Sequence, residues 1–456
     1  MPQALPPHPP GPVRRTGETM LTTTRAGTAR GSRACAPLLC SLLGLSLLAP
    51  ALNVSAQETP APGLYLKPRV EFEFESHRNR RLEANDIRRI DEYKPSAIMA
   101  LHWQSESRWA IFNETELAYE YERETSQGGE STTRLKINKL YAEARLPEWN
   151  SLAQVGRWGI EDERNWLFDD ELDGVKGTYF HDRWTVEAYA ARLNRWERDL
   201  LHDTATRGER SNLIGVTGNY ALSKRHSLIV RALSQRNSHT DLRLTHLSIG
   251  SFASPRKGPL QHWALFSVVD GKDQGDKVSG QAIDMGATWF FANDDWQPRV
   301  TLGYAWGSGD SSSDGTHRQT GLQDNKARMG GLTKFKVYGE TLNPSLSNLH
   351  VLTVGTGFAP GKNSSLDLVY HHYRQDHVAP LTGTSLRPRS DRQTSRNLGY
   401  GLDLVWGWRP TSKLRVEAVV GMFEPNDRFR NSSRTDADAA KTSYSGSIEF
   451  KYQLDI

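Results

Sequence analysis

Arginine and glutamate recur in this chain at every second position of runs whose other positions are apolar. Arg69, Glu71 and Glu73 alternate with Val70, Phe72 and Phe74, and Arg415 and Glu417 alternate with Leu414, Val416 and Ala418. In an extended chain successive side chains point to opposite faces, so each run has one apolar and one charged face. The charged series takes in Lys67, Arg69, Glu71, Glu73, Glu114, Glu116, Lys139, Glu143, Arg145, Arg157, Glu187, Arg231, Arg243, Asp284, Arg299, Asp403, Arg415, Glu417 and Lys451. So many ions cannot be buried dry, and the chemistry they offer is recognition of charge in water. Guanidinium groups grip carboxylates in bidentate fashion and never lose their charge. A row of them along a channel suits an anionic polymer passed from site to site. The same arginines could instead pair with glutamates on neighbouring strands and stiffen a wall. Charge alone weighs the two readings evenly.

Other chemistry is poorly represented. His371, His372 and His377 are the nearest approach to a metal cluster, but His371 and His372 point to opposite faces of a strand. The acidic stretch Asp270–Asp276 reads as a solvated loop, and no Ser/His or Asp/His motif marks a hydrolase. The expectation is a non-enzyme with no catalytic residue, metal or cofactor.

The elements that carry the charged face follow from composition and spacing. Of 456 residues only 37% are hydrophobic, yet there are 13 Trp, 15 Tyr and 14 Phe. That is little material for a large dry core and ample material for strands with aromatic ends. The formal charge of +4 points to no nucleic-acid partner. Residues 1–56 stand apart as an N-terminal extension and secretory signal. From Met20, a possible true start, arginines at 25, 30 and 33 precede an apolar run from Ala34 to Leu48, then Val54-Ser55-Ala56. Both cysteines, Cys35 and Cys40, fall in this segment. Residues 57–456 are expected to form one domain without thiol chemistry.

Within that domain no apolar run approaches the twenty residues of a membrane helix. Eighteen alternating segments can be placed, from 64–76, 95–105, 108–122 and 133–146 to 398–409, 413–423 and 443–456. Their connections alternate between tight turns, such as His181-Asp182 and Pro360-Gly361-Lys362, and long polar stretches, such as 159–173, 196–210 and 308–348. An even strand count with short periplasmic turns and long extracellular loops describes an all-β transmembrane barrel of the bacterial outer membrane. Trp109, Trp149, Trp184, Trp296 and Trp408 fall beside tight turns, and Trp158, Trp196 and Trp306 where strands meet long loops. These are the two expected interfacial girdles. The strand-like Leu332–Tyr338 would break the parity of every later turn and is placed inside the long loop, folded into the pore. The alternation running to Ile456 marks a closing strand paired to the first, which leaves no open edge.

Three stretches carry a resemblance: Val155-Gly156-Arg157-Trp158, then Glu163-Arg164-Asn165-Trp166-Leu167-Phe168-Asp169-Asp170-Glu171-Leu172-Asp173-Gly174-Val175, and Gln319–Arg328 followed by Tyr338-Gly339-Glu340 and Leu346–Leu349. The chain, over roughly 65–456, resembles the bacterial alginate export family of outer-membrane barrels. That resemblance implies an eighteen-stranded barrel with a narrow, arginine-rich constriction for a polyuronate. By motif it implies pore-lining roles for Arg157, Arg164, Asp173 and Arg328, beside Lys67, Arg69, Arg145 and Arg415 placed by phase. It also implies outer-membrane lipid around a monomeric barrel, a periplasmic scaffold and an inner-membrane synthase as partners. A general or small-anion porin shares the barrel and stays open as the alternative.

Overall fold

The computed structural model describes residues 61–83, 88–125, 128–200, 210–253, 258–291, 296–310, 315–430 and 440–455, and the backbone of 204–205. The expected signal segment at 1–56, and Ile456, lie outside these residues. Eighteen long strands follow one another. They are β1 (Gly63–Arg78), β2 (Arg89–Gln104), β3 (Trp109–Glu124), β4 (Gly128–Leu146), β5 (Ser151–Glu161) and β6 (Asp169–His181). Then come β7 (Trp184–Arg192), β8 (Asn212–Ala221), β9 (His226–Asn237), β10 (Leu242–Ala253), β11 (Leu260–Asp273) and β12 (Asp276–Phe290). The last six are β13 (Arg299–Gly307), β14 (Leu349–Phe358), β15 (Ser364–Arg374), β16 (Asn397–Trp408), β17 (Leu414–Pro425) and β18 (Ser443–Gln453).

Each strand pairs antiparallel with the next, and β18 pairs with β1 from Gln453 opposite Arg69 to Tyr444 opposite Arg78. The sheet is a closed barrel, so no backbone edge is left to lipid. One face of the strands is apolar and exposed throughout, as at Val70, Phe72, Val155, Val230, Ile249, Phe266, Leu302 and Val420. It meets lipid.

The strands outrun their expected limits on the long-loop side. β2 begins at Arg89 rather than 95 and β4 at Gly128 rather than 133. β1 to β4 span 16, 16, 16 and 19 residues. About 9–11 suffice to cross a membrane, so these strands project beyond it on the extracellular side. At the opposite rim Trp109, Trp149, Trp184, Trp296 and Trp408 are all exposed, forming one girdle. Trp158 departs from expectation. It is 1% exposed and faces inward, where the Lys176 ammonium lies 4.6 Å from its ring centre.

The interior differs from an open charged pore. Trp158, Trp166, Leu167, Phe168, Leu172, Phe335, Val337, Tyr338 and Leu346 pack there as a buried apolar cluster with inward residues of the wall. Two connections supply it: the turn 162–168 between β5 and β6, and residues 315–348 between β13 and β14. The second descends the whole barrel. It leaves Gly307 at the outer rim, reaches the tight-turn ends of β15 and β16, and returns to Leu349. Leu332 N donates to Ser365 Oγ (2.8 Å), and Thr333 Oγ1 to Trp406 O (3.0 Å). Halfway, Lys326–Ala327 pairs with Phe335–Lys336 as a small hairpin within the lumen. The strand-like segment expected inside the pore is the second arm of this hairpin.

Candidate functional site

The two inserted connections meet each other, and the motif residues make the contact. Asn165 O accepts from Asp324 N (3.0 Å) and Asn325 N (2.8 Å), Gln319 Nε2 donates to Trp166 O (2.6 Å), and Asp169 N donates to Leu322 O (2.6 Å). Thr320 Oγ1 donates to Leu167 O. Trp166 Nε1 donates to Tyr338 Oη (2.8 Å). Residues 150 or more positions apart thus form a single body, a plug.

The wall grips this plug through its inward polar side chains. Asp284 of β12 accepts from Arg164 Nε (2.7 Å), Tyr338 Oη (3.0 Å) and Trp263 Nε1 (2.8 Å), while the Arg164 guanidinium lies 4.2 Å from the Trp263 ring centre. Asp162 accepts from Trp166 N (2.5 Å), Leu167 N (3.1 Å) and Arg231 Nη1 of β9 (3.2 Å). Burial in this socket pushes the Glu163 carboxyl up to about 7 against the pull of Arg231, 3.5 Å away. Asp403 of β16 accepts from Glu340 N (3.2 Å), and Tyr373 Oη donates to Tyr338 O (3.0 Å). Arg299 and Asp367 close a bidentate pair at 2.8 and 2.6 Å beneath Gly331. Arg231, Asp284, Arg299 and Asp403 therefore face inward as expected, but they anchor the plug instead of lining a water path.

Two motif residues lie elsewhere. Arg157 and Asp173 are opposite each other in register, in the phase of the lipid-facing Val155 and Val175. Gly156 adopts φ +124°, and a Cβ there would fall 2.3 Å from Leu140 O. β5 parts from β4 at this point, and the exposed edge of β4 takes Glu197–Asp199 as its partner. Arg157 fixes that exchange by donating to Ile137 O (2.7 Å), Asp173 Oδ1 (3.0 Å) and Asn194 O (3.1 Å). Asp173 Oδ2 accepts from Asn194 Nδ2 (2.6 Å) and Trp196 Nε1 (2.8 Å). The expected lumen position of both residues is thus corrected. They clamp the outer wall where β5 turns inward to carry the plug. Arg243, also expected inside, is on the outer face with its side chain 72% exposed.

The rest of the lumen is charged. On β1 to β4, β17 and β18, Arg69 contacts Glu71 (2.8 Å) and Glu114 (3.2 Å), Arg145 contacts Glu143 (3.6 Å), and Lys451 contacts Glu449 (2.8 Å). Lys67 shares their inward phase. These cations carry carboxylate partners, so as single contacts they resemble struts.

At the tight-turn mouth the balance changes. Arg328 of the plug and Arg409 of the β16–β17 turn both donate to Leu332 O, at 2.7 and 3.1 Å. Arg415 stands beside them, with Glu417 at 3.6 Å. Burial first, then the charges of Arg415 and Arg328, push the Arg409 guanidinium down to about 10. Three guanidiniums close enough for Arg415 and Arg328 to act on Arg409 make a positive mouth, with Glu417 and Glu161 as the nearby carboxylates. Arg409 was not singled out from the sequence. Its signal is weak, an arginine in a turn after Trp408, and only the fold of the distant Leu332 segment brings it to the site.

A closed eighteen-stranded barrel with an apolar belt, an aromatic girdle and a lumen reached by its loops is an outer-membrane channel. A sequence profile described as alginate export matches residues 63–443, and the chain belongs to that family. A search of curated protein sequences gives no match. Similar solved structures are barrels of Pseudomonas aeruginosa. OpdK, crystallised with vanillate, is 10% identical with a TM-score of 0.55, covering 86% of this chain and 98% of its own. OccK5 (OpdH) is 11% identical at 0.54, covering 86% and 98%. OccK3 (OpdO) is 14% identical at 0.53, covering 85% and 95%. At these identities the likeness is one of fold.

Proposed function

We propose that this channel passes an anionic polysaccharide, most simply alginate, outward across the outer membrane. The observation that carries the reading is the convergence of Arg328, Arg409 and Arg415 at the tight-turn mouth, the periplasmic end of such a barrel. A positive mouth raises the local concentration of a polyanion and orients its entry. Beyond it Lys67, Arg69 and Arg145 offer further cations, Arg69 and Arg145 offset by carboxylates, so no single site holds the polymer tightly. Exit then requires Arg164 and the rest of the plug to give way. The chain has no chemistry of its own in this scheme; the drive comes from polymer synthesis at the inner membrane, delivered through a periplasmic scaffold. One barrel suffices.

The competing reading is a channel for small anions, favoured by OpdK, whose structure holds the small carboxylate vanillate. Planar-bilayer recordings separate the two. Replacing Arg328 and Arg409 by Glu is expected to lower anion selectivity and to weaken current block by short polymannuronate by at least about tenfold, through loss of charge-assisted contacts. Wild-type block by the polymer in the double variant would overturn the export reading. Equal block by vanillate and polymannuronate in the native protein would favour the small-anion channel.

A further inference from the structure

A second basic feature lies outside the lumen. Arg192 on β7 stands opposite Asn212 on β8, Asn212 opposite Arg236 on β9, Arg236 opposite Arg243 on β10, Arg243 opposite Lys272 on β11, and Lys272 opposite Lys277 on β12. One ladder row of the outer face thus holds five cations in six strands. At about 4.8 Å per strand the row is roughly 24 Å long. All six side chains are exposed and share the phase of lipid-facing Ile214, Val230, Leu247 and Phe266. Arg243 contacts Asp241 at 3.3 Å. Among the described residues, Arg192, Arg236, Lys272 and Lys277 have no carboxylate at ion-pair distance, although Asp173 on β6 stands opposite Arg192 in the same row and Asp270 shares their face one row below.

Like charges directly opposite across a ladder repel, so such a row favours a matching anion docked against it. Its place says which. The row lies toward the long-loop ends of its six strands, on the side of the outer leaflet, two rows above Val216, Ala232, Leu247 and Val268 of the outer face. The next row down contains Ala190 and Ile214, and these open onto an apolar groove on the lipid face that also takes in Val155, Val175, Ala188 and Val216. Charge above and a groove floored by small residues below fit a molecule with anionic head and acyl tails. We propose that this row is a binding site for the phosphates of an outer-leaflet glycolipid, whose chain lies in the groove beneath Arg192. Elsewhere on the same long-loop rim the cations are offset: Arg89 at the start of β2 contacts Asp91 at 2.6 Å on the outer face.

The test uses the full-length protein in detergent, titrated with bisphosphorylated lipid A and followed by native mass spectrometry. The proposal expects binding that weakens sharply with salt, and at least about tenfold weaker binding of dephosphorylated lipid A. Combining Arg236→Gln, Arg243→Gln and Lys272→Gln should weaken lipid A about a hundredfold, by the loss of three cations from an anionic surface. Arg89→Gln should leave it unchanged. Heat-modifiability on gels confirms that each variant has folded. Inorganic phosphate at millimolar concentration should not displace the lipid; displacement would make this a simple anion site and overturn the glycolipid assignment. Unchanged lipid A binding in the triple variant would overturn it too, as would preferential capture of polymannuronate by the row.

Discussion

The two halves of this barrel use the same alternating strand pattern to opposite ends. Along β9 to β16 the inward polar residues are sockets. Asp284, Arg231, Asp367, Asp403 and Tyr373 each hold a group of the plug or the pair beneath it, and little water reaches them. Along β1 to β4, and at the tight-turn ends of β17 and β18, the inward residues hold one another, in pairs such as Arg69 with Glu114 and Lys451 with Glu449. Strand periodicity decides which way a side chain points. What it meets there is decided by loops 35 to 120 residues away.

The contrast can be broken most forcefully at Asp284. Asp284→Ala leaves the buried Arg164 uncompensated and strips an acceptor from Tyr338 and Trp263, at a cost of about 3–5 kcal/mol. Freed plug contacts should appear as larger, noisier conductance in planar bilayers. On the other wall Glu120, paired with Arg134 and Lys136 at 2.9 and 3.1 Å, is partly solvated. Glu120→Ala should cost about 0–1 kcal/mol and leave conductance unaltered. Similar penalties at the two sites would mean that the halves are not distinct.

A steric version is smaller. A Cβ at Gly421 would meet Asp403 Oδ1 at 2.6 Å and Thr341 Oγ1 at 2.8 Å, so Gly421→Arg must displace the plug, costing about 1–3 kcal/mol. Glu73→Arg, inward on the open wall, should change the unfolding free energy of refolded barrels, measured by urea titration, by about 0.5 kcal/mol or less. A tolerated Gly421→Arg would mean that the plug does not rest on β17.

A different kind of effect is one of pH. Because Glu163 titrates near 7 in the folded protein and near 4.5 when unfolded, its proton stabilises the socket. That contribution is complete below about 4.5 and is lost as pH rises through about 7. The heat-modification midpoint should therefore fall between pH 5 and 8, and Glu163→Gln should flatten the slope. An unchanged slope in this variant would remove Glu163 from the account.

Much of this was legible in the sequence. All eighteen strands were, because one face meets lipid and the other does not, and period-two alternation records that directly. The plug was half legible: Leu332–Tyr338 could be set aside as a lumen segment because it spoiled the parity of the turns. Arg157 was misread for a physical reason. A charged residue on a strand was taken to face water inside, yet near the outer rim a guanidinium can sit on the lipid side if another segment covers it. The segment 194–199 does so, and nothing local announces it. Arg164 was named, but its place in the plug escaped for a related reason, since its partner Asp284 is 120 positions away.

The seam between β18 and β1 has a consequence for how the molecule is made. The long inserted connection is rooted in β13 and β14, which pair with each other directly, so it can settle while the cylinder is still an open sheet. Thr341 Oγ1 lies 2.8 Å from Ser445 Oγ on the last strand. Once that strand has zipped to the first, 41 residues between Gly307 and Leu349 would have to be threaded through a finished ring, a route that chains avoid. The order we expect is stopper first, hoop last. Disulfide trapping of an unclosed intermediate, with cysteines at Arg69 and Gln453 still unreacted while a pair at Trp166 and Tyr338 has already formed, would reveal that sequence of events.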